Sequence, residues 1–380
     1  MPFSNPQLYP GFQVFSTYFS GVKDPRRTHR GHFLYPLEEI LFLSVSAILS
    51  GMDDWTSITM FGRTKLDWLR QYYPYRNGIP SHDVLGKVFA SLDPGAFSEA
   101  FSGWVNSIAE LTGGEVVAID GKTIRGSDDK AAGRSAFHVV SAYASGNRLC
   151  LGQQVTAEKS NEITAIPVLL DHLSLEGCTI TIDAMGCQKA IAGQITGKKA
   201  DYVLMVKGNQ PELKEQVEKV MGMQGGAQAD VTLDAGHGRI ERRTCQATDR
   251  LTFLDDREEW AGLKSIAKIT SERIDKRSGY GTTQVSYYIS SLEAKPVQIA
   301  RAVRSHWAIE NNLHWTLDVL FREDAALKKK GNAALNYQIM AKMVLTMIEK
   351  ETESRLSKPK KRQRAALDDE FRSRILASYF

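Results

Sequence analysis

The hydrophobic positions in the N-terminal part of the chain repeat with a helical period. Apolar residues recur three or four positions apart from Pro36 to Gly51 and again from Trp55 to Tyr72, which predicts two amphipathic helices. Two more helical patterns follow before the glycine pair at 113–114 interrupts the periodicity. Residues 1–112 are therefore predicted to form a small all-helical domain.

Beyond residue 113 the pattern changes to short runs of β-branched residues. Strand-like runs at 116–120 and 179–183 each end in an aspartate that a small residue follows, and a turn at 145–147 predicts a hairpin between them. Helical and strand patterns then alternate, which predicts an α/β fold with a mixed sheet. Residues from about 225 to 295 are rich in strand patterns, so we expect a β-rich insertion in a domain that spans 113–350.

The last part of the chain returns to helical patterns. A long helix is predicted from Pro296, and a second one from Ala333 to Glu349. A basic run at 358–364 lies within residues 351–380, which are predicted to form a basic C-terminal tail. Such a run is usually a solvated segment, with contact to DNA as the alternative.

Two carboxylates at the ends of apolar strands are the first sign of chemistry. Asp120 and Asp183 each follow a buried-type strand, and Gly121 allows the backbone to turn away after the first of them. Two such strands at one sheet edge would bring both carboxylates together, which is the geometry of a metal site. The alternative is that each aspartate is only a turn or cap residue.

A third acid, Glu310, lies on the predicted helix after Pro296. Its spacing places it on the inward apolar stripe, where an ordinary surface glutamate is rare. A carboxylate in that position needs a partner, and a metal ion shared with the two aspartates would supply one. Hard oxygen ligands suit Mg²⁺ or Mn²⁺. The stripe consists of Val303, Trp307, Leu313, Leu317 and Leu320.

Two other arrangements of ligands remain open on the same helix. His306, Glu310 and His314 are four residues apart and would suit zinc, but the segment lacks the HExxH spacing. Glu323 and Asp324 are an alternative third acid, although they lie near the predicted helix end and are expected to face solvent.

Composition restricts the class of protein without deciding it. The 380 residues are 42% hydrophobic and 24% charged, and the formal net charge of +4 is compatible with an acidic partner such as DNA. The four cysteines show no CxxC spacing and are predicted to be reduced. The sequence lacks an apolar run of membrane-spanning length and a secretory signal pattern, so we expect a cytoplasmic protein without membrane contact.

The sequence resembles a known family over almost its whole length, and three segments carry the resemblance. They are Val-Ala-Ile-Asp-Gly-Lys-Thr-Ile-Arg-Gly-Ser, Ile-Asp-Ala-Met-Gly-Cys-Gln and His-Trp-Ala-Ile-Glu-Asn-Asn-Leu-His-Trp, which contain Asp120, Asp183 and Glu310. They look like DDE transposases of bacterial insertion sequences, in the H-repeat-associated branch. The resemblance implies an RNase H-like fold with a β-rich insertion before the glutamate helix, and an accompanying N-terminal helical domain. It also assigns the three acids to the catalytic DDE positions.

The resemblance implies metal-dependent cleavage and strand transfer at the ends of a mobile element. The cofactor would be Mg²⁺ or Mn²⁺, held by Asp120, Asp183 and Glu310. The partner would be double-stranded DNA, both terminal inverted repeats and target, bound by a homodimer or higher assembly near the nucleoid. Two alternatives remain: a catalytically lapsed DNA-binding remnant of a transposase, and an RNase H-like nuclease without mobility.

Several cations are predicted to contact DNA phosphates, because sequence-independent affinity comes from such groups. The wider family has Tyr, Arg and Lys where this chain has Val303, His306 and Leu317, so His306, Arg304 or a residue elsewhere would substitute. Trp307 and Trp315 are interpreted as core residues in preference to base-stacking residues. The predicted DNA contacts are Lys122, Arg125, Lys207, Arg304, His306 and Arg322.

Overall fold

Helices and strands follow the predicted order along the chain. The computed structural model describes residues 17–26, 34–111, 113–156, 162–223, 229–236 and 238–377. The start of the predicted insertion, near residue 225, and parts of the predicted N-terminal domain lie outside these residues. The N-terminal helices are α1 (Leu37–Leu49), α2 (Trp55–Thr64), the single turn α3 (Leu66–Leu69), α4 (His82–Ser91) and α5 (Pro94–Ile108).

Strands and helices alternate through the middle of the chain, and helices close it. The strands are β1 (Val116–Thr123), β2 (His138–Ala144), β3 (Leu149–Thr156), β4 (Thr179–Ile182), β5 (Asp201–Val206), β6 (Ala229–Gly236), β7 (Arg239–Thr248), β8 (Ser265–Asp275) and β9 (Gly281–Ser290). The later helices are α6 (Glu162–Asp171), α7 (Lys189–Gly197), α8 (Pro211–Met223), α9 (Pro296–Ala308), a π-helical segment (Ile309–His314), α10 (Trp315–Leu320), α11 (Ala333–Lys350), α12 (Lys358–Leu367) and α13 (Asp369–Ala377).

The nine strands of the described residues belong to one mixed sheet in the order β3-β2-β1-β4-β5-β9-β8-β7-β6. Strands β1, β2 and β3 pair antiparallel, whereas β1, β4 and β5 pair parallel. The predicted hairpin and mixed sheet are confirmed. The β-rich insertion does not form a sheet of its own, because β9 pairs with β5 and extends the central sheet outward through β8, β7 and β6.

Strand β1 does not end at Asp120, contrary to the sequence-based expectation. Its parallel pairing with β4 stops at Ile119, but its antiparallel pairing with β2 continues from Asp120 to Thr123. The hydrogen bonds to β2 keep the backbone extended, so Gly121 does not turn the chain away. Gly121 has a different role, described below.

Helices cover both faces of the sheet. Helix α6 packs on β2 and β3 from one side, and α7 packs beside it on β5. Helix α9 crosses β1 and β4 on the other side, where Lys342 of α11 also reaches Ser141 of β2. Side chains alternate between the faces of a strand, so Asp120 and Ser141, which are paired across β1 and β2, share the α9 and α11 side.

The N-terminal and C-terminal helices pack together around α1 and α11. Helix α11 is buried from Ala333 to Ile348 and contacts α1, α4, α5 and α12. Helix α1 is apolar almost all round, as expected for a helix enclosed by protein. The hydroxyl groups of Ser44 and Ser50 donate to backbone carbonyls of the same helix, which satisfies them inside the core.

The predicted helix from Trp55 to Tyr72 is broken in two. Helix α2 ends at Thr64, and α3 forms a separate turn that buries Trp68 and Leu69. The change of direction stacks the Trp68 ring on Phe42 of α1, with ring centroids 5.9 Å apart. Packing against α1 therefore overrides the continuous helical pattern.

The basic run at 358–364 is part of helix α12 and is not a solvated tail. Lys361 and Arg362 are buried, and the Arg362 guanidinium donates to the Ile48 and Leu320 carbonyls and pairs with Asp53. These contacts fasten α12 to α1 and α10. Among the described residues, the helices are too short or too polar for any of them to cross a bilayer.

Candidate active site

The sheet brings Asp120 and Asp183 to the same edge. Parallel pairing of β1 with β4 ends at Ile119 and Ile182, and each aspartate is the next residue on its strand. The apolar residues before them are buried, so the backbone that carries each carboxylate is fixed by the core. Carboxyl ends of neighbouring parallel strands are a common place for ligand sites in α/β proteins.

Glu310 reaches the same edge from a π-helical turn. The amide of Trp315 donates to the Glu310 carbonyl, five residues back, where an α-helix would bond over four. Such widened turns are rare and often lie at functional sites. Here the extra residue turns Glu310 toward Asp120 while Ile309 and Leu313 remain fully buried.

The predicted inward stripe on this helix is wrong in detail. Leu313 and Leu317 are buried, but the Trp307 side chain is 55% exposed and the Glu310 side chain 51% exposed. The π turn shifts the register, so the buried stripe runs through Ile309, Leu313 and Leu317. Glu310 lies beside this stripe, on the rim of the sheet edge, and not within it.

His314 completes a compact group with Asp120 and Glu310. Its Nδ1 atom lies 3.6 Å from Asp120 Oδ2 and 3.7 Å from Glu310 Oε2, and one donor atom from each residue lies within 4.8 Å of the others. Sequence reasoning considered His314 only as a zinc ligand with His306. The four-residue spacing from Glu310 was the signal that could have indicated it. His306 lies apart, with its Nδ1 atom 3.0 Å from the Thr181 hydroxyl.

The acids of this edge repel one another. Burial, together with a hydrogen bond and repulsion from Glu310 and the charge of Asp183, raises the pKa of Asp120 to about 8. The hydrogen bond with His314 lowers the pKa of Glu310, and burial followed by the charge of Glu162 raises the pKa of Asp183. A carboxyl group that is protonated to relieve such repulsion is typical of a site that a cation can stabilise.

Asp183 stands close enough to influence Asp120 but is not a member of the compact group. Its Oδ1 atom accepts a hydrogen bond from the Met185 amide at 2.9 Å, which orders the short turn after β4. Asn209, in the turn after β5, donates to the Ala184 carbonyl at 2.6 Å. The turn that carries Asp183 is thus braced by the neighbouring strand end.

Gly121 allows a buried histidine and glutamate, which contact each other, to approach the backbone of β1. His138 Nε2 lies 2.5 Å from Glu162 Oε1, and both side chains are nearly inaccessible to solvent. A Cβ atom at residue 121 would come within 2.5 Å of that His138 nitrogen and closer still to Glu162. The glycine after Asp120 is therefore required by packing against α6, not by a turn.

Lys122 forms ion pairs with acids in α10 and in the segment that follows it. Its Nζ atom bonds to Asp318 and, at 2.5 Å, to Glu323 Oε2, and its side chain is only 12% exposed. Glu323 is itself buried, so the expectation that it faces solvent is wrong. In the same segment, Asp324 Oδ1 accepts a hydrogen bond from the Arg125 amide. The backbone carbonyl oxygens of this segment lie so close to Gly126 that a Cβ atom at that residue would clash with them. Residues 122–126 thus dock the end of β1 onto residues 318–326.

The other predicted DNA contacts differ in their accessibility. Arg125 is 83% exposed, and Lys207 and Arg322 are also exposed. Arg304 is exposed and pairs with Asp234 at 2.8 Å. Burial lowers the pKa of His306 to about 4, so its imidazole is uncharged at neutral pH. Lys122 and His306 are therefore engaged within the protein.

Trp307 and Trp315 are not core residues, contrary to the sequence-based interpretation. Their side chains are 55% and 62% exposed. They flank the π turn on its solvent side because the turn directs the buried stripe through Ile309, Leu313 and Leu317. Two exposed indole rings therefore border the edge where the acids meet.

Comparison with known families decides the class of protein. Residues 111–347 match the family described as "Transposase DDE domain", and residues 16–105 match the one described as "DDE_Tnp_1-associated". The chain belongs to the DDE transposase family. The match to the transposase domain includes Asp120, Asp183 and Glu310.

Close relatives place the transposase in the H-repeat branch. It is 42% identical over 369 residues to "Putative transposase YncI" of Escherichia coli O157:H7. The aligned region covers 95% of this chain and 94% of that protein. It is 37% identical over 369 residues to "H repeat-associated putative transposase YhhI" of Escherichia coli strain K12, covering 95% and 97%.

A solved structure agrees with the fold of this transposase. The cryo-EM structure of a piggyBac transposase synaptic complex with hairpin DNA superposes with a TM-score of 0.50 at 13% identity, covering 98% of this chain and 82% of that one. With the strand order of the first five strands, this likeness confirms the predicted RNase H-like fold. The prediction that the protein binds DNA agrees with its family.

Proposed function

We propose that this transposase cleaves DNA strands at the ends of its element and joins them to target DNA, with Asp120, Asp183 and Glu310 as the catalytic acids. The observation that carries the proposal is the position of Asp120 and Glu310, whose carboxylate oxygens lie within 4.8 Å of each other near Asp183, at the edge where β1 and β4 stop pairing. Three acids that repel one another without a cation gain from binding one.

The donor set suits a hard divalent cation. Asp120 and Glu310 offer carboxylate oxygens and His314 a nitrogen within one compact group, and Asp183, on the neighbouring strand end, is proposed to add a further carboxylate. Oxygen-rich sets of this kind favour Mg²⁺ or Mn²⁺. In phosphodiester chemistry, divalent ions activate the attacking oxygen and stabilise the leaving oxygen.

The protein's own groups hold this site in position. His314 Nδ1 lies 3.7 Å from Glu310 Oε2, and the imidazole lowers the pKa of Glu310, which favours a charged carboxylate beside Asp120. Lys122 joins the end of β1 to the segment after α10, which fixes the two elements that carry Asp120 and Glu310. The exposed cations Arg125, Lys207 and Arg322 are proposed to meet DNA phosphates near the acids.

The test is cleavage of a duplex that carries the terminal repeat of the element, followed by joining to a target plasmid. Asp120→Asn is expected to abolish both reactions in Mg²⁺ and Mn²⁺ while the circular-dichroism spectrum stays unchanged, because the isosteric amide cannot act as an anionic ligand. Asp67→Asn, at a fully exposed position on α3, serves as the matched control and should retain activity.

Different products would separate this proposal from its alternatives. Cleavage without joining, in the wild type, would indicate a nuclease without mobility. Absence of both products from a wild type that still binds the duplex would indicate a catalytically lapsed remnant. Full activity of Asp120→Asn would contradict the assignment of the acids.

The active form is proposed to contain two or more copies of the chain, because both ends of an element must be brought together before joining. Light scattering after chromatography with terminal-repeat duplex measures this directly. A complex with one copy of the protein on two ends would contradict the proposal.

A further inference from the structure

A deep cleft lies between helix α9 and the outer half of the sheet. Its volume is about 1160 Å³, and its floor is one face of strands β6 to β9. Near β5 this face is apolar and is covered by α9, where Ile269 and Tyr288 pack against Ile299. Farther out the same face becomes polar and open, so the cleft begins where the packing ends.

The open part of the cleft is lined by arginines. Among the described residues that line the cleft, five are arginines and three are carboxylates. Glu241, which is buried, is shared by Arg243 and Arg273, and Asp234 pairs with Arg304. The arginines are Arg239, Arg243, Arg273, Arg301 and Arg304, and the acids are Asp230, Asp234 and Glu241.

The positive charge of the arginines in the cleft is larger than the negative charge of its acids. Partial burial, followed by repulsion from Arg304, lowers the pKa of the Arg243 guanidinium, and Arg273 adds to that repulsion. For Arg239 and Arg301, the described part of the chain provides no ion-pair partner within 4.0 Å. Guanidinium groups held this close to one another favour an anionic ligand, and phosphate oxygens suit their planar donors.

The alternation along β7 shows that the charge is concentrated on one face. Arg239, Glu241 and Arg243 point into the cleft, whereas Arg242 points to the opposite face and pairs with Glu272 at 3.3 Å. An ordinary solvated sheet face would not require a buried carboxylate to hold two arginines. The arrangement therefore resembles a preformed binding surface.

The cleft leads to the candidate active site. Asn311 and Asn312 line its inner end and follow Glu310 directly on the π turn, with Trp307 on the same rim. A ligand that fills the cleft would thus reach the sheet edge where Asp120 and Glu310 meet. A nucleic acid fits this continuity better than an acidic peptide does, because the proposed substrate already lies at that edge.

We propose that this arginine cleft binds the phosphodiester backbone of the DNA segment adjoining the scissile phosphate. The proposal rests on the proposed function, since it names how the same site holds its substrate. Backbone contacts set the position of the DNA and carry no base preference. The cleft is thus a general anchoring site that places the strand before the acids act.

Binding in EDTA tests the cleft separately from catalysis. The probes are two fluorescein-labelled duplexes of equal length, one with the terminal repeat and one of random sequence, measured by anisotropy over a range of salt. In the Arg243→Gln/Arg301→Gln double variant, both duplexes should bind more weakly by the same factor. The slope of log K against log salt should fall by about 0.9 for each arginine removed.

Arg242→Gln is the matched control, since it removes a neighbouring arginine from the other face of the same strand. It should bind both duplexes as the wild type does. Asp120→Asn should bind in EDTA but not cleave, so failure of the cleft proposal and failure of the proposed function give different results.

Three results would overturn the proposal. The double variant could bind both duplexes with the affinity and salt slope of Arg242→Gln. The double variant could lose affinity only for the terminal repeat, which would indicate base recognition. A labelled polyglutamate peptide could bind in a way that needs Arg243 and Arg301 while duplex binding does not, which would assign the cleft to an acidic peptide.

Discussion

At the scale of single residues, the acids at the sheet edge determine the character of the site. Their positions were predicted from two strand-end aspartates and one glutamate on a helix. His314 was not predicted as their neighbour: its four-residue spacing from Glu310 places those two side chains together, but only the fold brings both of them to Asp120. The assignment of all three acids to catalysis remains a prediction.

Repulsion among these acids predicts that Asp120→Asn stabilises the metal-free protein. The raised pKa of Asp120 means that the folded state holds a proton that the unfolded state releases above about pH 4. Wild-type stability in EDTA should therefore fall as the pH rises from 4 to 8, and the variant should lose less. We expect a gain on the order of 1–2 kcal/mol at pH 7.5, measured by urea unfolding.

Addition of Mn²⁺ provides the control for that prediction. It should raise the melting temperature of the wild type more than that of Asp120→Asn, because a cation relieves the same repulsion. Equal stabilisation of both proteins by Mn²⁺ would show that the ion binds elsewhere.

Gly121→Ala is expected to destabilise the protein by roughly 1–3 kcal/mol, because a methyl group there overlaps the buried His138 and Glu162 pair. Thermal unfolding measures the change. Gly197→Ala, at the end of α7 with no atom within 4 Å of the added methyl, should cost little or nothing. A Gly121→Ala protein as stable as the wild type would mean that this pair moves aside easily.

At the scale of elements, the connection between β1 and the glutamate helix matters most. Residues 122–126 follow Asp120 and dock on residues 318–326, which follow Glu310 by two turns. Sequence reasoning assigned Lys122 to DNA because cations supply the sequence-independent affinity for DNA phosphates, and Lys122 lies two residues from Asp120. Its three acidic neighbours are about 200 residues away in sequence, so only the fold brings them together.

Lys122→Met is expected to cost about 3–5 kcal/mol, because it leaves buried carboxylates without a cation. It should also weaken Mn²⁺ binding, measured by calorimetry, because Asp120 and Glu310 lose their common support. Lys122→Arg should restore most of both properties. Arg125→Gln, which removes an exposed charge in the same segment, should change stability by at most about 1 kcal/mol.

A result in which Lys122→Met lowers stability but leaves Mn²⁺ affinity at the wild-type value would count against a positioning role. Lys122 would then be a structural residue only. Such a result would leave the acids themselves unaffected.

At the scale of the whole molecule, helices from the N-terminal and the C-terminal parts of the chain pack together in one layer. Helices α12 and α13 cover α1 and α11, and the basic side chains of α12 are used for this packing. The division into domains at 112 and 350 remains a prediction. The apolar core, however, runs without interruption from the N-terminal helices to the sheet.

Arg362→Met is expected to cost about 3–5 kcal/mol, because the Ile48 and Leu320 carbonyls and Asp53 lose a buried partner. Lys360→Met in the same helix should stay within about 0.5 kcal/mol, since its ammonium is exposed and, in the described part of the chain, is hydrogen-bonded to Gln363. Urea unfolding compares the two variants. Equal stability would restore the view of residues 358–364 as a solvated segment.

The sequence by itself determined the order of the elements and pointed to Asp120, Asp183 and Glu310 as the candidate acids. Local patterns suffice for both, because strand and helix periods, and an aspartate at a strand end, are properties of neighbouring residues. Tertiary structure decided which residues contact one another. The extension of one sheet through β6, the shift of Glu310 to the rim and the burial of Lys122 all depend on groups that are distant in sequence, and pairing over such distances leaves no local signal.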